Sequence, residues 1–339
     1  MLATIYEVAR RAGVSTATVS RALRDDPRIT ASTREKVLQA ADDLHYVPKA
    51  AAQALAGSVT RSLGMVLPHL RGSYYAELAV GFESRASELD CSVLLLRADP
   101  AADSRSAVRR LAGQVDALAF MARSVVSDDL IAKVGKGRPT VTVARGRVTG
   151  HPAIYAESEA PAHALTTHLI EHGRRRLAFV GPAGDGSDIA ARYEGFSRAL
   201  IEAGLEVRPS IDVELDEDAG RRLAHKLHDE GLPYDALVCG NDEVAAAVVF
   251  ELQELGVDVP ARIAVVGWDD IRVSRYLRPG LTTVRQPVTQ LGATAAEFLH
   301  RMLSGDAVED VTVLPADLVH RQSCGCPKGS PLTTTPRTE

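Results

Sequence analysis

Thr4-Ile5-Tyr6-Glu7-Val8-Ala9-Arg10-Arg11-Ala12-Gly13-Val14-Ser15-Thr16-Ala17-Thr18-Val19-Ser20-Arg21-Ala22-Leu23 is the stretch from which the rest of this chain can be read. Ile5, Val8, Ala9 and Ala12 recur at spacings of three and four, as one buried helix face requires. Gly13 can take positive φ after the helix end, and Ser15 is a good N-cap for a second helix. That helix, Thr16 to Leu23, turns Val19, Ala22 and Leu23 inward and Thr16, Ala17, Ser20, Arg21 and Arg24 outward. A third helix is predicted to open at the cap Thr30 and to bury Val37, Leu38, Ala41 and Leu44. Two helices joined by about three residues containing Gly make a helix-turn-helix, although a plain αα-hairpin has the same periodicity. The outward face is small and hydroxylated, with arginines toward its end. Such a face fits a major groove, where Thr and Ala touch thymine methyls and Arg forks onto guanine.

Charge is distributed unevenly around this head. The 339-residue chain carries a net charge of -5, yet its first 60 residues hold eight Lys/Arg against six Asp/Glu. A basic head on an acidic body suggests a head that meets phosphates. The quoted string, continued in order by Thr33-Arg34-Glu35-Lys36-Val37 and His45-Tyr46-Val47-Pro48, closely resembles the headpiece of the LacI/GalR family of bacterial transcription repressors. The resemblance implies DNA contacts from Thr4, Ser15, Thr16, Ala17, Thr18, Ser20 and Arg21, with Thr16, Ala17 and Arg21 at the family's base-reading positions.

Pro48-Lys49-Ala50-Ala51-Ala52-Gln53-Ala54-Leu55-Ala56-Gly57 follows. Pro can open a helix, the alanines favour one, and Gly57 can stop it. About two turns are too few to be stable alone in water. In the resembling family this is the hinge helix, ordered on operator DNA and paired with its twin in the dimer. Ala52 and Leu55 match the residues that enter the minor groove there, where apolar wedging kinks the duplex. Lys49 stands where the family usually has Asn.

Beyond the hinge, short apolar runs alternate with amphipathic stretches: Leu63 to Leu67, Ser92 to Leu96, Ala117 to Met121, Val141 to Ala144, Leu177 to Val180, Ala236 to Cys239 and Ile263 to Val266. The fold class is therefore α/β, with parallel sheets covered on both faces. There is material for two sheets, broken near residues 157 to 162. Ligands in such folds bind beyond the carboxyl ends of the strands. Asn241, Asp242, Trp268, Asp269 and Asp270 follow two of these runs. Tyr74 and Tyr75 follow the first, and Arg192 follows the Gly-rich loop Gly181 to Gly186. The resemblance implies a two-lobed, periplasmic-binding-protein-like body holding a small effector, with Asn241, Asp269 and Arg192 at effector-contacting positions. Leu281-Thr282-Thr283-Val284 and Gln286-Pro287 match its crossover and late strand motif.

Departures from the family pattern bear on the ligand. Ala144-Arg145 replaces an acid common after the fourth strand, Glu157-Ser158 replaces an Asp-Asn pair at the lobe crossing, and an aromatic near Leu215 is missing. A sugar is the leading effector class by family habit, and Arg145, added to the candidate site, leaves room for an acidic ligand or a nucleoside. The expected domains are a helix-turn-helix headpiece (1–47), a hinge helix (48–58), a two-lobed effector and dimerisation domain (59–326) and a disordered tail (327–339).

Other classes fit less well. The longest apolar run, Val244 to Phe250, falls far short of the ~18 residues of a membrane helix. Glu7, Arg10 and Arg11 stand where a signal peptide needs an apolar core. A cytoplasmic location is expected, and the scattered cysteines suit a reducing compartment. The glycines at 181, 184 and 186 fit neither a dinucleotide fingerprint nor a P-loop, and no nucleophile elbow occurs. No catalytic residue, cofactor or metal is expected. His163, His168 and His172 read as helix surface, and Cys324-Gly325-Cys326 as a pair without partners. The tail has no leucine heptads, so a homodimer on palindromic operator DNA is expected. A ligand-responsive repressor explains head, hinge and body together. A solute-binding protein of the periplasmic-binding type explains only the body, and a sugar-modifying enzyme lacks its catalytic groups.

Overall fold

The computed structural model describes residues 3–23, 26–46, 61–98, 103–184, 188–327 and 333–334, which divide into two units, 1–61 and 62–339. In the first, α1 (Ile5–Ala12), α2 (Thr16–Ala22) and α3 (Ala31–Asp43) enclose a core of Val8, Ala9, Val19, Ala22, Val37, Ala40 and Ala41. Glu7 accepts hydrogen bonds from the Thr4 N–H (2.7 Å) and Thr4 hydroxyl (2.9 Å), which hold its carboxyl below the usual range. Gly13 ends α1 at φ 68, a conformation glycine adopts without strain. Ser15 then caps α2 by accepting the Thr18 N–H at 3.1 Å. One expectation fails here: Leu38 is 45% exposed, and Ala40 takes its place inside. Leu38 lies about 100° around the helix from Val37, whereas Ala40, Ala41 and Leu44 follow Val37 at helical spacing. The hinge positions, including Lys49, Ala52 and Leu55, lie outside the described residues.

The second unit has two lobes. The first contains β1 (Arg61–Leu67), α4 (Ser73–Glu88), β2 (Cys91–Arg97), α5 (Ser104–Ala112), β3 (Ala117–Met121), α6 (Asp128–Gly135), β4 (Thr140–Val143) and β5 (Ala153–Ala156). The second contains α7 (Glu159–Glu171), β6 (Leu177–Val180), α8 (Asp188–Glu202), α9 (Glu217–Asp229), β7 (Ala236–Cys239), α10 (Asp242–Glu254), β8 (Ala264–Val266), a 3-10 turn (Arg272–Arg275) and β9 (Thr283–Arg285). The chain returns to the first lobe for α11 (Val288–Leu303) and β10 (Val311–Leu314), then to the second for β11 (Asp317–Val319).

The first sheet runs β10-β5-β4-β3-β1-β2, with β1, β3, β4, β5 and β10 paired in parallel. Every residue of β3 and β4 is buried, as expected of strands covered by helices on both faces. In β1, Leu63, Met65 and Leu67 enter one core and Val66 the other, the alternation that a pleated strand imposes. α4 and α11 cross almost backbone to backbone. A Cβ at Gly81 would lie 2.0 Å from the Thr289 carbonyl oxygen, and one at Gly292 would lie 2.1 Å from that of Leu78. In the second lobe β6-β7-β8 pair in parallel, and Val266 and Thr282 bridge them toward β9.

Three strands escaped the sequence reading. β10 has exposed positions and β11 only three residues, so neither gives an apolar run, whereas β5, Ala153-Ile154-Tyr155-Ala156, is an apolar run that the reading passed over. The expected disordered tail also contains an extended pair, β12 (Thr333–Thr334), antiparallel to β11. Extended threonines suit the open edge of β11. No helix among the described residues is long and apolar enough to cross a membrane.

Candidate functional site

On α2 the candidate DNA-contacting residues divide by role. Ala17 is exposed, and Thr16, Ser20 and Arg21 are half-buried. Ser15 and Thr18 are engaged with each other, hydroxyl to hydroxyl at 2.9 Å as well as through the cap, so they shape the start of the helix. Arg11 pairs with Asp43 at 2.5 Å and Arg28 with Asp26 at 2.6 Å. Arg34 donates to the Asp26 carbonyl oxygen at 3.1 Å. These three arginines brace the headpiece, which leaves α2 as its candidate reading element.

In the body, a cleft of about 650 Å³ opens at the carboxyl ends of β1, β3, β6, β7 and β8. Five of the six sequence candidates for the effector line it: Tyr74, Tyr75, Arg192, Asn241 and Asp269. The tyrosines open α4 and pack edge to face, with ring centroids 5.1 Å apart. Tyr75 donates its hydroxyl to the Ala122 carbonyl oxygen at 3.0 Å. The buried Tyr74 hydroxyl has no hydrogen-bond partner among the described residues, and burial raises its pKa. An unpaired buried hydroxyl costs free energy, so it is a ready contact for a ligand.

From the second lobe, Arg192 lies buried with its guanidinium carbon 4.5 Å from the Trp268 ring centroid. It donates to the Gly240 carbonyl oxygen at 2.5 Å and to the Asp188 carboxylate. Asn241 caps α10 by accepting the Val244 N–H at 3.0 Å and donates to the Leu215 carbonyl oxygen at 3.1 Å. Asp269 has φ 114, and Gln286 donates to its Oδ1 at 2.5 Å. Burial pushes its carboxyl well above the ordinary value, against the opposing pull of Arg192.

Arg145 is not in the cleft. Its guanidinium donates to the carbonyl oxygens of Ser124 (3.2 Å) and Val126 (2.5 Å) and pairs with Asp128 at 2.7 Å. It therefore pins the loop after β3, a geometry that sequence position alone could not distinguish from a ligand contact. Conversely, the cleft contains residues the sequence reading missed, among them His69, Arg123, Asp188, Glu214 and Glu243. Arg123 follows β3 just as Asp269 follows β8, so the same strand-end rule could have found it. Glu214 lies on a loop without periodicity and gave no signal. Arg123 and Glu214 meet across the lobes at 3.2 Å.

The two acids flanking the cleft residues turn inward. Asp242 is fully buried and accepts from the hydroxyls of Ser274 and Thr283, each at 2.6 Å, and from the Ile271 N–H at 3.0 Å. Burial pushes its pKa up to about 7, opposed by these hydrogen bonds. Because this folded-state value lies above the unfolded one of 3.8, the folded chain holds the extra proton. The contribution of Asp242 to stability is full below about pH 4 and is lost as pH rises through about 7. Urea midpoints should therefore fall more between pH 4.5 and 7.5 in the wild type than in Asp242→Asn; parallel curves would show that Asp242 is ionised throughout. Asp270 accepts Arg285 at 2.7 Å and Arg321 at 2.5 Å, with Arg275 at 3.5 Å.

Comparison with known proteins agrees with both parts. Residues 4–49 match the family described as bacterial regulatory proteins, lacI family, and residues 166–324 match a periplasmic binding protein-like domain. The chain is 35% identical to catabolite control protein A of Priestia megaterium, over 95% of this chain and 99% of that protein. It is 30% identical to the HTH-type transcriptional regulator GalR of Escherichia coli K12, over 96% and 97%. Among solved structures it resembles a lac repressor dimer bound to operator and the anti-inducer ONPF, with TM-score 0.85 and 27% identity over 96% of this chain and 99% of that one. A CelR–cellobiose complex matches with TM-score 0.69 and 27% identity over 95% and 99%.

Proposed function

The chain belongs to the lacI family of bacterial regulatory proteins, and from that premise we propose that it is a repressor whose operator affinity is set by a neutral, polyhydroxylated effector, a sugar or close analogue. It is a ligand-responsive, DNA-binding transcriptional regulator that works as a dimer; its relatives are regulators rather than enzymes. The lacI headpiece leaves no support for a solute-binding protein without a regulatory role. We place it in the cytoplasm, where the operator is.

The observation that carries the ligand class is the charge pairing of the cleft. Of the arginines lining the cleft, Arg192 is held by Asp188 and Arg123 by Glu214, while Arg71 is exposed and forms no ion pair among the described residues; Arg145 is engaged elsewhere. Asp269 and Glu243 remain as acceptors beside the Tyr74 and Tyr75 rings. Carboxylates and aromatic faces suit hydroxyls and sugar C–H faces, whereas an anionic effector would find only the exposed Arg71 without an ion-pair partner. Tyr74 and Tyr75 belong to the first lobe, and Asn241, Arg192 and Asp269 to the second. A ligand touching both sets favours one lobe arrangement by its differential affinity for it. The proposed route to DNA is the hinge at 48–58, with Lys49, Ala52 and Leu55 at the minor groove. Fluorescence anisotropy on a palindromic operator, with neutral sugars, sugar phosphates and nucleosides added separately, tests this reading. A response confined to sugar phosphates would overturn the ligand class.

On the DNA side, Thr4 caps α1, and Ser15 and Thr18 shape the start of α2, while Thr16, Ala17, Ser20 and Arg21 face the groove. Arg21→Ala should cost about 1–3 kcal/mol of operator binding and relax selectivity at one base pair per half-site. Affinities for operator variants at one fixed salt concentration check this. Wild-type tightness and selectivity would mean that another face of the headpiece reads the bases.

A further inference from the structure

Far along the sequence from one another, five metal-ligating side chains meet in the second lobe. α7 carries His168, and His172 follows one turn later at its end; the segment after β11 carries His320, Cys324 and Cys326. The cysteine pair read from sequence as lacking partners therefore has them. His168 Nε2 lies 3.3 Å from Cys324 Sγ and 3.4 Å from Cys326 Sγ, and His172 Nε2 lies 3.5 Å from Cys326 Sγ. The His168 and His320 ring centroids are 4.3 Å apart. Donor atoms of His168, His320 and Cys326 all lie within 4.8 Å of one another. His163, the third member of the helical run, pairs instead with Glu202 at 2.7 Å.

These spacings are close to those of a coordination shell. A tetrahedral zinc ion with Zn–N about 2.05 Å and Zn–S about 2.3 Å sets adjacent N and S donors roughly 3.5 Å apart. The local backbone serves the convergence. Gly325 has φ 110, and a Cβ there would lie 3.6 Å from His172 Nδ1, so glycine lets the two flanking cysteines turn toward α7. The Cys324 thiol already accepts from the Thr282 hydroxyl at 3.1 Å and donates to the Arg321 carbonyl oxygen at 3.3 Å. His172 is exposed and able to reorient, which makes it the better fourth ligand.

We propose that His168, His172, His320 and Cys326 bind one thiophilic divalent cation, zinc by the softness of the donor set, in a site separate from the effector cleft. With four protein ligands the site is structural, not catalytic. It ties the start of the second lobe, α7, to the segment that follows the chain's last return to it. Binding therefore stabilises the folded chain by mass action while leaving effector contacts untouched.

The test uses the full chain, reduced and stripped with a chelator, then titrated with Co²⁺ followed by Zn²⁺. The expected result is one Co²⁺ per chain, with a thiolate-to-cobalt charge-transfer band and tetrahedral d–d absorption, both erased by Zn²⁺. Cys326→Ser should abolish the charge-transfer band. His168→Gln should weaken Zn²⁺ binding by more than the roughly 10–100-fold that loss of a ligand's outer hydrogen-bond partner costs. His163→Gln should match the wild type. If a variant fails to fold, protection of the wild-type Cys326 thiol from alkylation by Zn²⁺ provides the readout. Absence of the charge-transfer band, unchanged Zn²⁺ affinity in Cys326→Ser and His168→Gln, or a Cys324–Cys326 disulfide forming equally fast with Zn²⁺ present would overturn the proposal.

Discussion

Asp269→Asn is expected to weaken effector binding by about 3 kcal/mol, on the order of a hundredfold, while leaving effector-free operator binding intact. Gln286 already occupies Oδ1 at 2.5 Å, so the substitution removes an acceptor whose orientation is fixed in advance. Burial holds the carboxyl's pKa high in the empty cleft. Hydroxyls donating to it favour the ionised form, so effector binding releases a proton, and affinity rises with pH until the carboxyl is ionised without ligand. Asp269→Asn should flatten this dependence. Calorimetry in buffers of different ionisation enthalpy measures the affinity and the proton release together. Unchanged affinity, or no proton release in the wild type, would remove Asp269 from the effector's contacts.

Asp270→Ala is expected to destabilise the folded chain by about 3 kcal/mol, the lower end for breaking a buried ion pair. Its side chain is 1% exposed, and the three arginines around it are 14%, 40% and 57% exposed. Arg275 and Arg285 can turn to water, which limits what each loses. Arg321 is the one left enclosed. The backbone at Asp270 has φ 55, where Asp and Asn are tolerated better than Ala, so Asp270→Asn separates charge from strain. Urea denaturation of both variants gives the two contributions. A loss below about 1 kcal/mol for Ala would show that water satisfies the arginines.

Legibility of the chain followed the range of the physics. The headpiece was readable because its signals are local: a cap at Ser15, a glycine at 13 and apolar residues at helical spacing. Leu38 was misplaced because it lies off the stripe that Val37, Ala40, Ala41 and Leu44 make on α3, and the reading chose the larger side chain over the alanine that continues that stripe. In the body, most apolar runs announced themselves even at three or four residues, whereas β10, with exposed positions and completed by pairing with the distant β5, did not. The strand-end rule placed Asn241 and Asp269 beside the cleft. It failed for Arg145, whose guanidinium reaches back to its own loop. The histidines of α7 and the cysteines after β11 were separate observations in the sequence, and only the tertiary fold brings them together.

The interleaving of the lobes sets an order of events during synthesis. The first lobe's sheet needs β10 at its edge, and its core needs Leu291, Ala295 and Leu299 from α11. All of these are made only after β6 to β9 of the second lobe. At about 5–20 residues per second, that delay is on the order of ten seconds. Throughout it, the α4 face that will receive α11 is bare and Phe82 lacks its cover. The nascent chain is then an unfinished half-lobe with an open apolar flank, the kind of transient surface that makes a growing chain prone to aggregate before it can regulate anything.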